Sequence, residues 1–187
     1  QNISRSKEAV EHYDLGNDFY QTILDSRMQY TCGYWKNAKT LEEAQKNKLE
    51  LICRKLDLKP RMKILELGSG FGGFAEYVSK NYCCEVISYN IAKQQVNSAK
   101  ERCKDLSVII VEADYREAVK YARTLGKFDR VASIGMFEHV GYKNHRTFME
   151  VVDSCLKDDG LFLLHTIGKD ISVYHTDPWL EKYMYPN

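Results

Sequence analysis

Short, almost wholly apolar runs alternate along this chain with longer stretches in which apolar residues recur at helical spacing. Lys63–Leu67, Glu85–Tyr89, Val108–Glu112, Phe128–Ile134 and Leu161–Thr166 read as strands. Near-continuous apolar strands separated by helices predict a parallel sheet covered on both faces. The helical stretches include Phe74–Val78, Ala92–Cys103 and about Asn144–Leu156, the last meeting a turn at Lys157-Asp158-Asp159-Gly160. Ahead of the first strand, Thr40-Leu41-Glu42-Glu43 has the form of a capping box, with Thr40 as N-cap and Glu43 at N3. The helix it opens carries Leu49, Ile52 and Leu56 on one face and stops before Pro60. Gln1–Leu24 reads as a helical segment outside this alternation, packed over the carboxyl ends of the strands. The expected architecture is a Rossmann-like α/β fold with a mostly parallel central sheet. Residues 1–60 form a helical cap over the active site, and residues 61–187 form the ligand-binding domain.

The far end carries a further pattern. Asp177-Pro178-Trp179 can start a helix, with Asp177 as N-cap and Pro178 at N1. No strand follows, and a sheet ending at its fifth strand would expose an apolar edge that proteins usually cover. The chain therefore reads as a fragment of a longer protein, cut after strand five.

The most informative run is Ile64-Leu65-Glu66-Leu67-Gly68-Ser69-Gly70-Phe71-Gly72-Gly73, a strand feeding a glycine-rich turn and then a helix. Glycines there permit positive φ and let a ligand approach the backbone. A dinucleotide pyrophosphate favours a helix N-terminus with no carboxylate beside it. Glu66, at the end of the strand, points instead to a nucleoside with its own positive charge, and S-adenosylmethionine has both a sulfonium and an ammonium. An isolated GxGxxG remains compatible with a dinucleotide. In an open parallel sheet the ligand sits where strand order reverses, here between the first and fourth strands. Gly68, Ser69, Gly70 and Gly72 then face the amino-acid part of the donor. Asn90, ending the second strand, is placed to meet ribose hydroxyls. After the third strand, Asp114 can accept from the adenine amine while Tyr115 stacks on the ring; the alternative for Asp114 is a turn or cap acid.

Composition narrows the class. The chain of 187 residues is 44% apolar and 28% charged, with a net charge of +1. That balance gives no electrostatic reason to expect nucleic acid as a partner. It contains no run of roughly 18 apolar residues of the kind that spans a bilayer. The six cysteines are scattered without CxxC or ligand spacing, which fits reduced thiols in a cytoplasm. No HExxH or comparable metal pattern is present.

Further motifs carry a family resemblance. They are His12-Tyr13-Asp14-Leu15-Gly16-Asn17-Asp18, Gln29-Tyr30-Thr31-Cys32-Gly33-Tyr34-Trp35, Gly135-Met136-Phe137-Glu138-His139-Val140-Gly141, Leu163-Leu164-His165-Thr166-Ile167-Gly168 and Asp177-Pro178-Trp179. In order and spacing the chain resembles the cyclopropane-fatty-acyl-phospholipid synthases and the related mycolic acid cyclopropane synthases. The resemblance implies a class I methyltransferase fold. It also implies transfer from S-adenosylmethionine to the cis double bond of an unsaturated phospholipid acyl chain, with ring closure after a bound bicarbonate removes a proton. It assigns the bicarbonate site to Cys32, Glu138, His165 and Ile167. The donor site it implies comprises Tyr30, Thr31, Gly68, Ser69, Gly70, Gly72, Asn90, Ile91, Gln95, Tyr115 and Arg116, alongside the Glu66 and Asp114 read above. A cytoplasmic protein, peripheral at the inner membrane surface and compatible with homo-oligomerisation, is the corresponding expectation. Three positions depart from the family: in the loop Gly-Ser-Gly-Phe-Gly, Ser69 and Phe71 stand where Cys and Trp are common, and Asn90 replaces a usual Thr. The alternatives are a related methyltransferase acting on a sterol, phosphoethanolamine or another small acceptor, and a non-catalytic donor-binding paralogue.

Overall fold

The computed structural model describes residues 17–168, 170 and 177–179. Five strands form one parallel sheet: β1 (Lys63–Leu67), β2 (Glu85–Asn90), β3 (Val108–Glu112), β4 (Phe128–Ile134) and β5 (Leu156–His165), in the order β3-β2-β1-β4-β5. The helices are α1 (Asn17–Ile23), α2 (Leu41–Lys55), α3 (Gly73–Tyr82), α4 (Lys93–Cys103), α5 (Ala118–Leu125) and α6 (His145–Cys155). The order reverses between β1 and β4, as the sequence suggests. The first, third and fourth strands have the expected bounds, and the second runs one residue further.

Local chemistry explains the main elements. Thr40 accepts the Glu43 N–H at 3.2 Å, and the Glu43 carboxylate accepts the Thr40 N–H at 3.2 Å, so the capping box is closed. Leu49, Ile52 and Leu56 are all buried. They join Ile64, Phe74, Val78 and Val86 in a core on one face of the sheet. On the other face, Leu65, Leu67, Ile87, Phe128, Val131, Phe148 and Val152 form a second core. This two-sided burial is the reason the strands lack hydrophobic alternation.

Two elements differ from expectation. Lys157–Gly160 is not a separate turn: β5 pairs Leu156 with Phe128 and next Leu161 with Arg130, so these residues form a bulge within one strand. Lys157 Nζ lies 2.6 Å from Asp129 Oδ1, which ties the strand's beginning to its neighbour. The sequence reading also gave no helix between the third and fourth strands. α5 occupies that place, with Ala118 and Ala122 buried and Val119 and Tyr121 packed against the second core.

Of the segment 1–24 only α1 and its end are described. There Tyr20 is buried, 5.5 Å from the Phe71 ring in the loop after β1, consistent with packing over the strands' carboxyl ends. The motif from His12 lies outside the described residues up to Asn17. Asp177 accepts the Trp179 N–H at 2.9 Å, and a helical turn begins at Pro178, as read from the sequence.

Candidate functional site

A cavity of about 820 Å³ opens at the reversal point, beyond the carboxyl ends of β1, β2, β3 and β4. Its volume suits a nucleoside-sized ligand. Tyr30, Thr31, Glu66, Gly68, Ser69 and Gly70 line it, as do Asn90, Ile91, Gln95, Asp114, Tyr115 and Arg116. Gly72 does not. Its φ is +82°, and a Cβ there would stand 3.0 Å from the Ala99 Cα and Cβ, so this glycine lets α3 approach α4 instead of contacting ligand. Gly70 is the opposite case. With φ +47° and nothing within 4 Å of an added Cβ, its open side belongs to the cavity.

Glu66 forms part of the wall although it is only 2% exposed. Its carboxylate accepts the Ser88 hydroxyl at 2.6 Å, a pairing set by the β1–β2 register. Burial pushes its pKa up to about 7, against the Ser88 bond and the nearby Lys48 charge. A cation arriving beside it would favour the ionised form.

Asn90 is drawn toward the glycine loop. Its amide donates to Gln95 Oε1 at 2.9 Å and to Ser69 Oγ at 3.2 Å, and its carbonyl accepts the Ala92 N–H at 3.1 Å. Its role in the structure is to tie the ends of β1 and β2 together at the cavity edge. Asp114 makes the turn cap of its plainer reading and also lines the cavity. Its carboxylate caps the turn at Tyr115–Glu117 and receives Arg116 Nε at 2.7 Å and an Arg116 terminal nitrogen at 2.8 Å. Burial opposes ionisation, but the side-chain and backbone hydrogen bonds from Arg116 hold Asp114 below its ordinary pKa. Tyr115 lines the cavity while its ring packs against Phe148, centroids 5.4 Å apart.

The residues assigned to bicarbonate gather near the end of β5. Cys32 Sγ lies 3.5 Å from His165 Nε2, and Glu138 Oε1 accepts the Ile167 N–H at 2.9 Å. Among the described residues, Glu138 Oε2 and His165 Nδ1 are buried without a hydrogen-bond partner. Such unmatched atoms suit a small ligand that both donates and accepts, as bicarbonate does. His165 has its pKa lowered by burial first and by the Lys48 charge next, with Glu138 opposing. A smaller cavity of about 250 Å³ is lined by Cys32, Lys48, Lys55 and His165, among others.

Sequence reasoning missed a polar layer on α2. Gln45 Nε2 donates to the Thr31 carbonyl at 2.7 Å, and Lys48 Nζ donates to Gln29 Oε1 at 2.8 Å and Thr31 Oγ1 at 2.7 Å. Both side chains are buried. Their signal was available: positions 45 and 48 are in helical phase with Leu49, Ile52 and Leu56, so polar residues occupy the inward face. His139, read as structural from the sequence, lies in the wall of the larger cavity.

An open parallel sheet with a nucleoside-sized cavity at its switch point is a Rossmann-like α/β fold, and similar solved structures mark it as the class I methyltransferase kind. The chain is similar to the cyclopropane synthase MmaA2 from Mycobacterium tuberculosis, with TM-score 0.83 and 26% identity, covering 96% of this chain and 67% of that one. It is also similar to the mycolic acid cyclopropane synthase CmaA1 in complex with SAH and CTAB, with TM-score 0.74 and 29% identity, covering 83% of this chain and 54% of that one. The family model described as mycolic acid cyclopropane synthetase matches residues 1–187, and the chain belongs to that family. Among curated proteins, the cyclopropane-fatty-acyl-phospholipid synthase of Escherichia coli K12 is 50% identical over 177 residues, 95% of this chain and 45% of that protein. The chain spans under half the length of the curated relatives it matches. Among the described residues no helix is long and apolar enough to cross a membrane.

Proposed function

We propose that the protein containing this chain is a cyclopropane-fatty-acyl-phospholipid synthase. The net change is addition of one methylene across a cis double bond of a phospholipid acyl chain, with the displaced proton passing to a base. One observation carries the reading beyond the family. Thr31 lines the larger cavity and the next residue, Cys32, lines the smaller one beside His165. Cys32, assigned to the base site, thus lies one peptide bond from the donor wall, while Glu138 and Ile167 line neither cavity. An alkene is a weak nucleophile, and close positioning against the donor supplies much of the acceleration.

When bound, S-adenosylmethionine supplies an activated methyl group. Gly68, Ser69 and Gly70 would receive its amino-acid part, with Glu66 offering negative charge to its cationic groups. Asn90, Ile91 and Gln95 border the ribose side, and Tyr115 and Arg116 the base side. Gly72 supports the loop from behind. Bicarbonate would be held by Cys32, Glu138, His165 and Ile167 and would supply the base. Glu138 Oε2 is the acceptor suited to its hydroxyl, and His165 Nδ1 the group suited to its oxygens. Aromatic faces such as Tyr30 favour a developing positive charge and help exclude water. The proposed substrate belongs to a bilayer, so the enzyme would work as a peripheral protein at the inner membrane surface.

The test is lipid chemistry in cells expressing the full-length gene. Monounsaturated acyl chains should gain the mass of one methylene. A methyl branch that keeps its double bond has the same mass, so ozonolysis of the product decides: a cyclopropane survives and an alkene is cleaved. Products methylated on the head group, or cleaved by ozone, would defeat the proposal.

A further inference from the structure

α2 contributes a buried ammonium to the boundary between the two cavities. Lys48 is 5% exposed, lines the smaller cavity, and donates to Gln29 and Thr31, which both line the larger one. The segment it grips has little freedom elsewhere. A Cβ on Gly135 would lie 2.3 Å from Thr31 Cγ2, and one on Gly73 would lie 2.3 Å from the Arg27 carbonyl oxygen. Asp25 Oδ1 accepts the Gln29 N–H at 2.7 Å, and Gln45 holds the Thr31 carbonyl. These contacts fix backbone or packing; Glu42 engages the Ser26 and Arg27 side chains at the start of the segment, and Lys48 brings its charge to the Gln29 and Thr31 side chains that line the cavity.

We propose that Lys48 is a positioning residue for both half-sites: its ammonium holds Gln29 and Thr31 in the donor wall and thereby sets Cys32 against His165. The proposal rests on the functional reading above. A buried ammonium is costly, and an apolar side chain in phase with Leu49 and Ile52 would cost less. Its retention here is accounted for by the two charge-assisted hydrogen bonds it makes into the wall.

Protonation gives a readout that plain packing would not share. The titratable groups facing Lys48 are Asp25 from the segment after α1, Cys32 from the wall segment and Glu66 from β1; His165 on β5 feels its charge in turn. Burial lowers the Lys48 pKa to about 8, with Asp25, Cys32 and Glu66 opposing. The ammonium is thus present below that pH and lost above it.

The experiment uses the full-length enzyme with Lys48→Met and Lys48→Arg. It measures S-adenosylmethionine affinity by calorimetry and kcat and KM with unsaturated phospholipid vesicles, each from pH 6.5 to 9.5 on a scale where an amine titrates. Lys48→Met should weaken donor affinity and lower kcat, each about tenfold near pH 7. The loss should shrink above pH 8, where the wild type also lacks the charge. The donor's own amine titrates nearby, so the quantity read is the ratio between variants at each pH. Lys48→Arg, charged throughout, should recover part of the affinity and hold it to higher pH. Unchanged affinity and kcat in Lys48→Met would overturn the proposal. So would equal, pH-independent losses in both variants, which mark a merely structural side chain. If the full-length enzyme makes no cyclopropane, the functional reading fails separately, and the donor-affinity ratios still decide the role of Lys48.

Discussion

The larger cavity, proposed to hold the donor, and the cluster at the end of β5 share the Thr31–Cys32 segment yet are built on different principles. Around the donor cavity several polar groups are already matched, although the buried Asn144 Oδ1 on the same wall has no partner among the described residues. Ser88 holds Glu66, Asn90 joins Ser69 and Gln95, and Arg116 engages Asp114. At the β5 end, Glu138 Oε2 and His165 Nδ1 are buried without partners among the described residues, and Cys32 and Ile167 are exposed. A wall whose hydrogen bonds are largely made before a ligand arrives is preorganised, and binding there costs little rearrangement. A cluster with unmatched buried atoms gains most when a ligand completes it. The first region is built for recognition. The second is where the proposed proton transfer would take place.

The sharpest way to break the comparison is to damage the donor region alone. Gly70→Val places a branched side chain at φ +47° on the open side of the cavity, where no protein atom lies within 4 Å of its Cβ. S-adenosylmethionine affinity measured by calorimetry should fall by on the order of a hundredfold or more, with secondary structure by circular dichroism retained. Affinity within about twofold of the original would remove the glycine loop from the donor site. Damage to the other region should read differently. Glu138→Gln in the full-length enzyme keeps an acceptor for the Ile167 N–H but loses the charge at Oε2. It should lower kcat by about a hundredfold, the lower end of the range for acid–base groups, and leave donor affinity near its original value. Equal losses in both quantities would put Glu138 on the donor side of the boundary.

What could be read in the sequence follows the same division. The strands were legible because their apolar runs are unbroken, and the capping box because its chemistry is local to four residues. Glu66, Gly70 and Asn90 were legible because topology fixes where strand ends point, so position along the chain was enough. α5 was missed although Ala118, Val119, Tyr121 and Ala122 mark an inward face, because a helix of eight residues shows that spacing over roughly two turns. Gly72 was misplaced because a glycine that lets a ligand approach and one that lets a helix approach look alike in sequence. The pairing of Asp114 with Arg116 was hidden by proximity, since a residue two positions away can satisfy a carboxylate as well as a ligand can. Cys32, Glu138 and His165 come from distant parts of the chain, and only family likeness had grouped them. Gln45 and Lys48 went unremarked although polar residues in phase with a buried apolar face mark an inward-facing network.

The subtlest comparison concerns charge within the donor wall. Glu66 is a carboxyl whose pKa is raised from 4.5 to about 7 by burial, so in the donor-free protein it takes up a proton that the unfolded chain has already released. Between those two values the native state binds more protons than the unfolded state, and stability falls as pH rises. Above about 7 both states are ionised and the full cost of the buried charge is present. Glu66→Gln removes that cost and keeps an acceptor for the Ser88 hydroxyl. The donor-free variant should therefore gain thermal stability at pH 8 and gain little or nothing at pH 4, measured as the shift in Tm at each pH. Donor binding should move the other way. Without a carboxylate beside the cationic donor, affinity should drop about tenfold at pH 8, the size expected for one charged hydrogen bond. Wild-type affinity should weaken as pH falls below 7, and binding there should release a proton, seen as a dependence of the calorimetric heat on buffer ionisation. A variant less stable at pH 8, or one that binds the donor as tightly as the original, would show that Glu66 serves the fold and not the ligand.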